Sequence, residues 1–137
     1  MKTQQLSITT GRERALVDLT PEVRKFVRFE GDGLLNVSIP HATAGLILME
    51  MGSGSEADLW DRLDALLPRD KHYVHSHGSR GHGADHLLPA FISPTLSLPV
   101  IAGEVSLGTW QSIVMVDTNV DNPQRQVLLA FLPDPTG

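Results

Sequence analysis

Five of the six histidines fall between His72 and His86, at His72, His75, His77, His82 and His86, within KHYVHSHGSRGHGADH. Imidazole is the commonest side-chain metal ligand and the side chain whose unperturbed titration lies near neutral pH, so the segment concentrates metal binding and proton transfer. The spacing allows two local chelates: His75 and His77 share a face of an extended chain, and His82 and His86 share a face of a helix. A solvated Gly-rich loop would give no reason for five residues of one type, which favours a site. With no cysteine in the chain, a metal here is held by nitrogen and oxygen. Zinc on three nitrogens plus water would make an open site that ionises water near neutral pH. No HExxH occurs, and Ser79 and Arg80 stand where an HxHxDH motif begun at His75 would need Asp and His.

These residues must be positioned by elements that the rest of the chain encodes. Leu6 and Ile8 alternate with polar neighbours, and so do Ala15, Val17 and Leu19 beyond Gly11, a pattern that predicts a hairpin. Thr20 as an N-cap, Pro21 at the first helical position and the spacing of Val23, Phe26 and Val27 predict a helix ending near Gly31. Leu35, Val37 and Ile39 form a strand stopped by Pro40, and Leu46 to Met51 a strand buried on both faces. Leu59, Leu63, Leu66 and Leu67 lie at helical spacing up to Pro68, with Trp60 beside the stripe. A short helix is expected from Ala84 to Ile92, with Pro89 limiting it, then strands at Val100–Ala102, Glu104–Leu107, Trp110–Asp117 and Gln126–Leu132. The fold class is α+β: a single domain over residues 1–137, with early and late strands and a few short helices.

Composition narrows the partners. Hydrophobic and charged fractions of 41% and 20% are globular, which argues against disorder or a fibrous repeat. A net charge of −5 with scattered Lys and Arg gives no nucleic-acid surface. No run has the roughly 18 apolar residues of a membrane span, and the polar start is unlike a signal peptide, so no membrane partner and a cytoplasmic location are expected.

In longer context, SIPHATAGLILMEM, YVH, HGADHL and LPVIAGEVSLGTWQSIVMVD occur in an order and at separations that resemble the YjbQ family. The matching positions are His41, Thr43, Ala44, Gly45, Glu50, Asp58 and Leu59 before Pro68, Tyr73, His75, His86, and Leu107 to Gln111, over about Ser38 to Asp117. The resemblance implies a mostly antiparallel, β-sandwich-like core, a homotrimer with sites near subunit boundaries, and a ligand set of His41, His75 and His86. Family members carry the name secondary thiamine-phosphate synthase. That name implies coupling hydroxymethylpyrimidine diphosphate to a thiazole phosphate with loss of diphosphate, and its qualifier is consistent with a side activity.

A departing diphosphate needs its charge neutralised, by a divalent metal (zinc, or magnesium if the transfer is real) or by cationic donors. Arg125, in a segment resembling the family's late Arg-containing strand, is expected to bind the small phosphorylated substrate together with Thr43. Glu50 is expected to orient a histidine or activate water, or else to emerge into solvent, and Gln111 to donate to a substrate oxygen. Arg80 is expected to be a solvated surface residue and Trp110 to lie in the core. Three departures mark the site as altered: Ala42 replaces a family Thr, HGSRG replaces an EG-type loop, and His82 replaces a family Asn. His82 is expected to be an exposed loop residue, with an added nitrogen donor as the alternative; His72 and His77, without family counterparts, are expected to be structural or solvated. Metal-assisted hydrolysis of a small phosphorylated or carbonyl metabolite, or a non-catalytic trimer that binds a metal or anion, would use the same histidines.

Overall fold

Strand β7 (Ser112–Asp117) is buried from Ile113 onward, as expected of a strand covered on both faces. A computed structural model of the chain describes residues 1–70, 73–75 and 78–135 and shows what covers them. The elements are β1 (Lys2–Thr9), β2 (Ala15–Asp18), α1 (Thr20–Val27), β3 (Gly33–Ser38), β4 (Ala44–Met49), α2 (Ser55–Leu66), α3 (His82–Phe91), β5 (Thr95–Ile101), β6 (Glu104–Val105), β7 and β8 (Gln124–Pro133). They build two antiparallel sheets, ordered β1-β8-β3-β5-β6 and β2-β7-β4. The fold is α+β.

Between the sheets, Leu35 and Val37 of β3, Val127, Leu129 and Phe131 of β8, and Ile113 and Met115 of β7 form the main core, closed by Val23, Phe26 and Val27 of α1. The other face of β7 presents Val116 to a second cluster built from Leu63 and Leu67 beside α2 and Ala84 and Leu88 of α3. Helices α2 and α3 therefore cover the outer face of one sheet, and α3 carries two of the histidines over it.

Several expectations are corrected. The first two strands do not form a hairpin: β1 pairs with β8 in register Leu6 to Val127, whereas β2 pairs with β7 in register Val17 to Met115. Alternation identified both strands, but a turn at Gly11 does not decide whether its flanking strands join one sheet. Thr20 is the first residue of α1 rather than its cap; its hydroxyl accepts from the Ile113 N–H at 2.8 Å, and Leu19 takes the cap position. Strand β4 is buried only over Ala44–Leu46, and Leu48 is exposed. Trp110 is 73% exposed, because β7 begins two residues later and leaves it on the preceding turn.

Candidate metal centre

Helix α3 starts where Gly81 takes a left-handed conformation that L side chains resist. Ala84 and Leu88 then bury their faces against Val116, which holds the helix on the sheet even though Pro89 removes one helical N–H. Close approach fixes its far end as well. A Cβ on Gly45 of β4 would lie 2.2 Å from the Ile92 carbonyl oxygen, so only glycine lets β4 abut the chain that leaves α3. The Leu46 N–H bonds to the Ser93 carbonyl at 2.8 Å beside that contact.

On this helix His82 and His86 share a face, and their Nε2 atoms lie 2.9 Å apart. His75, from the segment before the helix, stacks on His86 with ring centroids 4.3 Å apart and lies 5.4 Å from the His82 centroid. One ligand atom from each of the three falls within 4.8 Å of the others. A tetrahedral zinc with bonds of about 2.0–2.1 Å needs its nitrogens about 3.3 Å apart, so small ring movements suffice and the donor set fits the ion. His82 is only 7% exposed, which corrects its expected place in an exposed loop.

Carboxylates stand behind the imidazoles. The His82 Nδ1 lies 3.2 Å from Asp121 Oδ2 and 3.8 Å from Asp85 Oδ2. Asp85, fully buried in the first turn of α3, is ion-paired to Arg69, whose second guanidinium nitrogen reaches Oδ2 at 3.4 Å. Hydrogen bonds from Ser79, the backbone N–H first and the side chain next, hold the Asp121 carboxyl below the ordinary carboxylate range, and charge on His82 and Arg12 acts in the same direction. Gly78 seals this side. A Cβ there would lie 2.5 Å from the His82 ring and 3.0 Å from Asp121 Oδ2, at a φ of +82°.

The other expected residues lie apart from this cluster. His41 accepts at Nε2 from the Gln126 N–H at 2.9 Å and is absent from the three-residue donor group. Arg125 is 1% exposed, ion-paired to Asp117, and donates to the carbonyls of Asn119 (3.1 Å), Asn122 and Gln124 (2.9 Å). Its donors are spent inside the fold, which corrects the expected phosphate grip. Burial lowers its pKa, while the Asp85 charge opposes that shift. Thr43 is buried and donates to Asp117 Oδ1 at 3.3 Å, so it belongs with Arg125 rather than with an open pocket. Glu50 accepts from the Ser53 hydroxyl at 2.8 Å, and the Gln111 side-chain oxygen from the Gly108 N–H at 2.7 Å; both are local turn contacts. Arg80 is exposed, as expected, and His72 and His77 lie outside the described residues.

The order of the histidine, YxH and GTWQ segments is matched by a family model described as UPF0047 protein YjbQ-like, over residues 4–134. The chain belongs to the YjbQ-like UPF0047 family. UPF0047 protein Rv2556c of Mycobacterium tuberculosis is 57% identical over 132 residues, covering 96% of this chain and 98% of that protein. A UPF0047 protein of Archaeoglobus fulgidus is 29% identical over 93% of this chain and 99% of its own length. Among solved structures, hypothetical protein APE1520 of Aeropyrum pernix K1 superposes with a TM-score of 0.87 at 28% identity, covering 98% of this chain and all of that one. The family membership and the fold therefore agree.

Sequence reasoning underrated His82, Asp85 and Asp121. The signal available was the i, i+4 spacing of His82 and His86 with Asp85 between them. Asp121 carries no local signal, because only the fold brings it to the histidines.

Proposed function

We propose that this UPF0047 chain is a metal-dependent enzyme acting on a small phosphorylated or carbonyl metabolite, with His75, His82 and His86 as its ligands. The observation that carries this reading is the convergence of three imidazole donors within 4.8 Å. A divalent ion such as zinc, bound by three nitrogens with one position left over, supplies polarisation of a substrate oxygen and acidification of water. The chain's own contribution is orientation: α3 fixes two rings one turn apart, the segment before it stacks His75 on His86, and buried Asp85 is neutralised by the half-buried Arg69.

Thiamine-phosphate coupling, as the family resemblance implies it, is the second reading. Arg125 is committed internally, so charge on a leaving diphosphate would have to be balanced by the bound cation, magnesium in that case. Assembly as a homotrimer belongs to the same resemblance. Exposed Leu34 and Leu132, paired across β3 and β8, and Leu128 on the same strand as Leu132, support a face that another copy covers. Among the described residues, no helix is long and apolar enough to cross a membrane.

The test is metal analysis of chain purified without chelator, followed by phosphatase and thiamine-phosphate assays on wild type and His75→Ala. Stoichiometric metal with turnover lost in His75→Ala supports the enzyme, and the assay that responds selects the reaction. Stoichiometric metal without turnover selects a binding protein. Absence of metal, with every activity unchanged in His75→Ala, removes the metalloenzyme reading.

A further inference from the structure

Of residues 73–75, Val74 stands fully in solvent, while Tyr73 and His75 on either side of it are half-buried. That alternation is the one an extended chain gives, with two residues turned toward the protein and the one between them turned away. His75 meets the other two imidazoles, and Tyr73 ties the segment to both neighbouring helices. Its hydroxyl donates to the Pro68 carbonyl at 2.7 Å, just past the end of α2. Its ring packs against the cluster that joins Leu63 and Leu67 to Ala84 and Leu88. Gly83 of α3 lies against the same side chain: a Cβ there would stand 2.7 Å from Tyr73 Cβ and 2.9 Å from its Cγ. The φ of Gly83 is not positive, so the backbone does not call for glycine, and glycine inside a helix is less favourable than alanine. What the missing Cβ provides is the close approach of Tyr73.

We propose that Tyr73 is the positioning residue of the three-histidine site: its bond to Pro68 and its seat on Gly83 set where His75 meets His86. Two of the rings need no such anchor, because His82 and His86 stand one turn apart on α3 with their Nε2 atoms 2.9 Å apart. The third ring comes from a segment outside any helix or strand, two residues beyond Tyr73, and it moves with that anchor. The contact that Tyr73 controls is therefore the stack of His75 on His86, with centroids 4.3 Å apart, and not the edge contact between His82 and His86. Ligands must be held within about 0.5 Å of their productive positions by residues that are themselves locked by packing and hydrogen bonds. Tyr73 has both, from α2 through Pro68 and from α3 through Gly83. The role in metal binding rests on the proposed function, whereas the placement of His75 stands on the contacts of the chain itself.

The experiment uses the full-length labelled chain, wild type and the variants Tyr73→Phe, Tyr73→Ala and Gly83→Ala. Nuclear Overhauser contacts between the carbon-bound ring protons of the histidines are read without metal, and calorimetric titration reads the affinity for Zn2+. Wild type is expected to show both the His75–His86 and the His82–His86 contacts. Tyr73→Ala should lose the first, keep the second and weaken zinc binding about 10–100-fold, the range found when a residue supporting a ligand is removed. Gly83→Ala, which leaves Tyr73 and every histidine in place and favours the helix, should do the same by pushing Tyr73 aside. Tyr73→Phe, which keeps the ring and loses only the bond to Pro68, should retain both contacts and lose less than about tenfold. If Tyr73→Ala fails to fold, Gly83→Ala decides. The proposal is overturned if Gly83→Ala keeps the His75–His86 contact or binds zinc within about twofold of wild type. Loss of the His82–His86 contact together with the other in Gly83→Ala also overturns it, because the role is then support of α3 as a whole. A wild type that binds no zinc removes the metal reading, and the ring contacts then decide the role of Tyr73 by themselves.

Discussion

Two polar groups of this protein are built on opposite principles. Around Arg125, the carboxylate of Asp117 and the carbonyls of Asn119, Asn122 and Gln124 surround one guanidinium, with the Thr43 hydroxyl on the far side of Asp117. Around α3, three imidazoles of the same type turn their nitrogens toward one another, and the carboxylates stand behind them. In the first group every opposite partner is supplied by the fold, so it ties β7 to β8 through their connecting loop. In the second, like donors gather with no chemical need to do so for stability. That difference separates a buried ion pair that holds the structure from a donor set of the kind a metal ion would need.

The largest expected effect breaks the first group. Arg125→Ala leaves the Asp117 carboxylate buried without its cation and should cost about 3–5 kcal/mol in urea unfolding. A loss near zero would return Arg125 to the substrate-binding role that its sequence position suggested. Zinc sharpens the second group. At about 100 times its dissociation constant, zinc should raise wild-type stability by about 2.7 kcal/mol, and His75→Ala should show no such rise.

His41 probes the boundary between the two groups. His41→Ala removes one acceptor from the Gln126 N–H, an expected loss of about 1 kcal/mol with zinc affinity unchanged. Burial first, and the Arg125 charge second, push the His41 imidazole below its ordinary range. The native state then binds fewer protons than the unfolded chain just below the unfolded pKa of about 6.5. This contribution is complete above about pH 6.5 and is lost as the pH falls toward the lowered native pKa, so acid titration of stability in His41→Ala should be flatter than in wild type. The smallest effect belongs to the turn before β7: Trp110→Ala, at an exposed position, should stay within about 0.5 kcal/mol of wild type.

Much of the fold was legible because its cause is local. Period-two alternation marked β1, β2 and β3, and Pro68 and the leucine spacing marked α2. Which strands pair was not legible, because β2 finds β7 and β1 finds β8 across most of the chain length. The site divides the same way. The dense segment and the helical spacing of His82 and His86 could be read from the sequence. The burial of His82 could not, because it depends on Gly78 closing over the ring and on Asp121 arriving from beyond β7. Arg125 shows the converse: a charged residue in a late strand reads as a phosphate ligand until the loop carbonyls that consume its donors are seen.

The ligand set that the resemblance implies, His41, His75 and His86, differs from the one the geometry assembles at a single member. Calorimetric titration of Zn2+ into wild type, His41→Ala and His82→Ala tests that difference directly. The account predicts one ion per chain for wild type and for His41→Ala, and a loss of more than about 100-fold in affinity for His82→Ala. Zinc binding that survives His82→Ala and vanishes in His41→Ala would contradict it.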